Sequence, residues 1–150
     1  MCKHKSVIIL FILIFITVRT SIAQTEITWQ TLGNVRFTDK YSEEVEAYFY
    51  YPHFGEKVKA LEGKKVYLKG FLLTIDPKEN IYILSRYPFA SCFFCGNGGP
   101  ESIVELRLKP NHPNFKMDQI VTILGTLKLN QDDIYSCNYI LLEAEVYDSK

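Results

Sequence analysis

Two segments of this chain alternate like strands for 11 residues each and carry a glycine at the centre. Lys65–Ile75 holds Gly70, and Gln119–Leu129 holds Gly125. A glycine inside a strand costs stability unless the strand bends, bulges or meets another backbone closely. Both segments are otherwise rich in Val, Ile, Leu and aromatic residues, which suit a pleated, half-buried surface. Long strands that bend at a glycine curl a sheet onto itself, so a small closed barrel is expected. Three shorter segments complete it: Ile81–Ser85, Ser102–Leu108 and Tyr139–Tyr147. In the second of these, Val104, Leu106 and Leu108 share one face, and Glu105 and Arg107 the other. Turn-forming residues separate the segments, as in Asp76-Pro77-Lys78-Glu79-Asn80 and Asn130-Gln131-Asp132-Asp133. The predicted fold class is mostly β, a five-stranded barrel over residues 63–150 preceded by an N-terminal extension over residues 24–62.

The extension reads less clearly. Thr28–Phe37 is expected as a strand. Ser42–Phe49 is expected as a short helix, with Ser42 as cap and Glu43 and Glu44 in the first turn. Val45, Ala47 and Phe49 also alternate, as a strand would. Gly55–Leu61 is a second short helix, closed by Gly63.

Residues 1–23 read as an export signal. Lys3 and Lys5 precede the 12-residue segment Val7–Val18, apolar except for Thr17, and Ser21-Ile22-Ala23 supplies small residues for cleavage before Gln24. The segment falls short of the roughly 20 residues a membrane helix needs. The expected product is a periplasmic or secreted protein with no membrane attachment. It keeps 14 Lys and Arg against 17 Asp and Glu, a net charge of −3, in 127 residues. That balance, with no basic stripe, lacks the phosphate-neutralising charge that dominates nucleic-acid affinity, so no nucleic-acid partner is expected.

Cleavage leaves Cys92, Cys95 and Cys137, together with His53 and His112. Three thiols cannot all pair within one chain, so the odd one is a metal ligand, a reactive group, an intermolecular partner or a buried apolar residue. Cys92 and Cys95 belong to the stretch Ser91-Cys92-Phe93-Phe94-Cys95-Gly96, a C-x-x-C turn that aims two sulfurs at one point. Thiolates bind soft or borderline ions such as Zn²⁺ or Cu(I).

The segments GKKVYLKGFLL and VTILGTLKLN resemble the first and fourth strands of the OB-fold, over about residues 63–147. The CFFCG…GPES stretch also resembles an exported family of such domains whose role is uncharacterised. The resemblance implies a fold and a compartment, and no activity. The helix usual between strands three and four of that fold is replaced by Lys109–Asp118, which contains Pro110 and Pro113. OB topology sets strand five parallel beside strand three. The C-x-x-C turn feeds strand three and Cys137 precedes strand five, so the three thiols are expected to converge.

The expected function is an exported, non-catalytic binding module. Its candidate metal ligands are Cys92, Cys95 and Cys137, with His53 the weak fourth, for zinc or copper(I). Phe93 and Phe94 are candidate contacts, one plugging the barrel end and one reaching a partner. Two other readings use the same residues. A thiol-disulfide redox partner would exploit the C-x-x-C pair, although Gly96-Asn97-Gly98-Gly99-Pro100 offers no helix to stabilise a thiolate. A structural or assembly protein would use the cysteines only as a disulfide and dock an exported protein through Tyr48-Phe49-Tyr50-Tyr51-Pro52-His53-Phe54. His112 and the Asp132-Asp133 pair are expected to be solvated loop groups. Hydrolytic motifs such as G-x-S-x-G, H-E-x-x-H or a P-loop do not occur, so an enzyme is not expected.

Overall fold

The structure is a computed structural model, and it describes residues 24–92, 96 and 98–148. Residues 1–23, read from the sequence as an export signal, lie outside the described residues, as do Phe93, Phe94 and Cys95. Among the described residues eight strands form: β1 Thr25–Glu26, β2 Val35–Ser42, β3 Ala47–Phe54, β4 Lys65–Asp76, β5 Ile81–Ser85, β6 Ile103–Leu108, β7 Gln119–Leu129 and β8 Tyr139–Val146. Two single-turn helices, α1 Trp29–Leu32 and α2 Glu56–Lys59, lie before the barrel.

Strands β4, β5, β6, β8 and β7 follow one another around a closed sheet, and β7 returns to pair with β4. The β6–β8 pair is parallel and the other four pairs are antiparallel. This is the OB order, with β8 beside β6 as the resemblance implied. Strand β4 makes closure possible by pairing with β7 along Lys65–Leu72 and with β5 from Phe71 onward. Gly70 stands at that handover, where a Cβ would sit 2.6 Å from the Ser85 carbonyl oxygen and 2.9 Å from the Trp29 ring. Gly125 stands at the register shift between β7 and β8, against the Leu141 side chain. Both glycines mark close approaches.

The barrel interior is filled by alternate residues: Val66, Leu68 and Leu72 from β4, Tyr82 and Leu84 from β5, and Val104 and Leu106 from β6. In place of a helix, the 109–118 connection packs Phe115 against this core, its ring 5.9 Å from that of Tyr82. The extension adds Leu32, Phe54 and Val58 to the same core. The buried Tyr139 hydroxyl donates to the Leu32 carbonyl over 2.6 Å and ties α1 to the barrel.

The extension differs from the sequence expectation in two places. Thr28 does not open a strand. It caps α1 through a reciprocal pair of bonds with Thr31, and the strand begins only at Val35. Ser42–Phe49 is not helical either. Strand β2 ends at Ser42, residues 43–46 turn, and β3 pairs with β2 along its whole length from Ser42↔Ala47 to Val35↔Phe54. Glu46 adopts φ 50°, a left-handed value that ends a hairpin turn and interrupts a helix. The alternation of Val45, Ala47 and Phe49 was the stronger signal. Here the aromatic residues that follow favour a pleated strand. The second helix forms as expected, as α2.

Candidate functional site

The outward faces of β4, β5 and β6 are unusually apolar. Residues alternate with the interior set, so Leu73, Ile83 and Ile103 point away from the barrel yet remain buried, in a second small core. The connection between β5 and β6 reaches this face at Cys92. Its neck is closed by the Arg86 amide donating to the Ser102 carbonyl over 2.9 Å, and it carries the fully buried Cys92 into the second core. Cys92, the described cysteine of the C-x-x-C stretch, is therefore fixed against the outer face of the sheet. Cys137, at the entrance to β8, packs against the same cluster. Two of the three predicted thiols are brought together as expected from strand order, and both are free thiols.

Beside the second core the outer face opens into a groove of about 550 Å³. Its floor is formed by Ile75, Ile81, Ile83, Ile103 and the Glu105–Arg107 pair. One wall is the β2–β3 hairpin, through Phe49 and Tyr50, and the other is the 131–138 loop, through Ile134, Tyr135 and Cys137. Three polar contacts hold the walls together. Gln131 donates to the Pro52 carbonyl at 3.0 Å, Lys40 meets Asp132 at 3.4 Å, and the Tyr135 hydroxyl donates to Glu44 at 3.2 Å.

The loop is organised from beneath by Asn130, a buried side chain. Its amide donates to the carbonyls of Asp133, Ser136 and Cys137, and its carbonyl oxygen accepts from the Asp133 amide. Glu105 joins the loop to the floor. One carboxylate oxygen lies 2.6 Å from the Arg107 guanidinium, and the other accepts the Cys137 amide at 3.1 Å.

These contacts fix the charge states. Burial pushes the Cys137 thiol up to about 12, with the Glu105 carboxylate adding to the effect and Arg107 opposing it. The hydrogen bond from the Ser136 hydroxyl and that from the Tyr135 amide hold Asp133 below the usual carboxylate range. The groove thus presents a protonated thiol, an ionised acid and a closed ion pair at neutral pH.

The other predicted residues lie elsewhere. His53 stands on β3, its Nε2 2.9 Å from the Thr38 hydroxyl and its ring edge-on to Tyr51. Among the described residues, no three His, Cys, Asp or Glu side chains are grouped to hold a metal ion. His112 lies in the 109–118 loop as expected, but half-buried and stacked on Phe115 where a solvated side chain was expected. Asp132 and Asp133 are exposed, as expected, and pair with Lys40 and Ser136. Glu105, Arg107 and Asn130 were not singled out as site residues. For the first two, strand alternation gave the face correctly, but the loop covering that face comes from residues about 25 to 30 positions away.

No family model matches the chain, and no curated protein matches it. A solved structure shares the fold. The crystal structure of a DUF3299 family protein from Pseudomonas aeruginosa PAO1 superposes with a TM-score of 0.51 at 17% identity, covering 85% of this chain and 99% of that one. At this identity the likeness concerns the barrel architecture alone.

Proposed function

We propose that the protein is an exported, non-catalytic binding module whose ligand lies in the groove on the outer face of β4, β5 and β6. The observation that carries this reading is the apolar floor exposed at Ile75 and Ile81 between two mutually braced walls. Burying a ligand's apolar surface there would contribute about 25 cal/mol per Å² removed from water. The groups lining the groove support binding over chemistry. The Cys137 thiol stays protonated far above neutral pH, Asp133 stays ionised, and Glu105 spends both oxygens on Arg107 and the Cys137 amide. Neither Cys137 nor Asp133 is poised to exchange a proton near pH 7.

The test is a screen of small apolar and aromatic fragments against the full chain, read by amide chemical shifts. Shifts centred on Ile81, Ile103 and Cys137, abolished by Ile81→Arg, are the expected outcome. Fragments that shift no groove residue would sink the proposal.

A second reading is supported by the shared cluster of Cys92 and Cys137. In it, these thiols and Cys95 bind zinc or copper(I), with His53 or another group as fourth ligand. A metal would have to displace the Cys137 proton, so uptake would release acid and strengthen with pH. Elemental analysis of protein purified under reducing conditions, with each cysteine changed to serine in turn, decides it. Metal at background in the parent, or unchanged in the variants, rejects the metal site. A thiol-disulfide role fits less well, because a thiol pushed to about 12 presents almost no thiolate to attack a disulfide.

A further inference from the structure

The β2–β3 hairpin offers a second surface, which borders the groove at Tyr50 and runs from there to the hairpin tip. Its register sets Phe37 opposite Pro52, Asp39 opposite Tyr50 and Tyr41 opposite Tyr48, so these six residues share one face. Near the base that face is buried at Pro52 and Phe54. Toward the tip it is open: Tyr41 is 50%, Tyr48 73% and Tyr50 58% exposed. The rings are already arranged against one another, Tyr41 edge-on to Tyr48 at 5.2 Å and Phe37 edge-on to Tyr50 at 6.4 Å. The hairpin extends over eight paired positions, roughly 27 Å at the usual strand rise.

Charge identifies the occupant. The tyrosine face carries Asp39 and no cation, and the turn beyond it adds Glu43, Glu44 and Glu46, all exposed. Arg36 and Lys40 alternate onto the opposite face, where Lys40 sits over the Tyr51 ring at 4.2 Å and pairs with Asp132. We infer that the exposed tyrosine face of the hairpin docks a basic, arginine- or lysine-bearing segment of a partner protein. Each cation would lie on an electron-rich ring face while the surrounding carboxylates neutralise it. Tyrosine and arginine are also the residues that most often dominate interface energies. A second copy of this chain would set Asp39 and the three glutamates against their own duplicates. Anionic lipid and nucleic acid meet the same repulsion.

The test titrates the full chain at low ionic strength with a blocked peptide of alternating arginine and serine, and with its glutamate counterpart, following amide shifts. The expected result is a response confined to residues 37–50 with the arginine peptide only, weakening as salt rises. Tyr48→Ala, at a largely exposed position, should weaken it about tenfold, and Glu43→Lys should weaken it further at low salt than at high salt. Absence of a response, or an equal response to the glutamate peptide, overturns the proposal. Shifts centred on Ile81 and Cys137 instead would assign the peptide to the groove and overturn it as well. Comparable binding to phosphatidylglycerol vesicles would make the surface a membrane contact, and self-association lost in Tyr48→Ala would make it a homodimer face. Either result replaces the inferred partner. The groove proposal stands or falls on its own fragments, so the two failures are distinguishable.

Discussion

Cys137 shows how position alone can set the chemistry of a residue. Its sulfur packs on the cluster of Leu73, Ile83 and Ile103, while its amide is held by Glu105. The folded thiol loses its proton only near pH 12, against an ordinary value of 9.0. The folded state therefore keeps a proton that the unfolded chain gives up as pH rises past 9. Stability from this group is fully present below that point and drains away between 9 and about 12. Cys137→Ala removes the titration. Measured by urea denaturation, the parent should lose on the order of 1 kcal/mol more than the variant between about pH 8 and pH 10. Parallel pH profiles would refute the account. The meeting of Cys137 with Cys92 was legible in the sequence, because strand order alone brings the entrances of β6 and β8 to one end of the barrel. The partnership with Glu105 was not legible. Alternation reports which way a side chain faces, and is silent about the loop that comes to cover it.

At the scale of elements, the groove depends on two segments that the chain supplies from opposite sides of the barrel sequence. The hairpin comes before the barrel, and the 131–138 loop joins its last two strands. Asn130 holds that loop through bonds to Asp133, Ser136 and Cys137, so Asn130→Ala would leave three part-buried carbonyls without this donor. A loss of about 2 kcal/mol is expected. Because the loop lies outside the closed ladder, amide exchange should accelerate across residues 131–138 more than across β4 or β7. Uniform acceleration, or none, would count against Asn130 as the organiser. The hairpin illustrates a different limit of legibility. Ser42-Glu43-Glu44 has the composition of a helix start, and over eight residues helix and strand periods are hard to separate. Long-range pairing decided the outcome, since β2 and β3 satisfy each other's backbone groups along eight positions. The barrel strands were easier to read, because 11 residues of alternation exceed what a helical pattern can imitate.

For the whole molecule, closure of the barrel is the condition on which the outer face and the groove both rest. Gly70 and Gly125 announced closure in the sequence, and the structure gives the reason as contact rather than flexibility. At Gly70, β4 changes partners from β7 to β5 and the Trp29 ring lies over the backbone, its indole nitrogen donating to the Lys69 carbonyl at 2.9 Å. An added methyl at this point would meet the Ser85 carbonyl at 2.6 Å and the Leu84 side chain at 3.0 Å. The carbonyl belongs to the paired ladder and cannot move without opening the β4–β5 seam. Gly70→Ala should therefore destabilise the protein by about 1–3 kcal/mol and loosen the extension at Trp29. Gly33 provides the control, since it sits at φ −66° and a methyl there would make only ordinary contacts at 3.5 Å or more. Gly33→Ala should stabilise by about 0.4–1 kcal/mol through the unfolded chain. Denaturant midpoints for the two variants should move in opposite directions from the parent. If Gly70→Ala were as stable as Gly33→Ala, close packing at the seam would not be what requires glycine in β4.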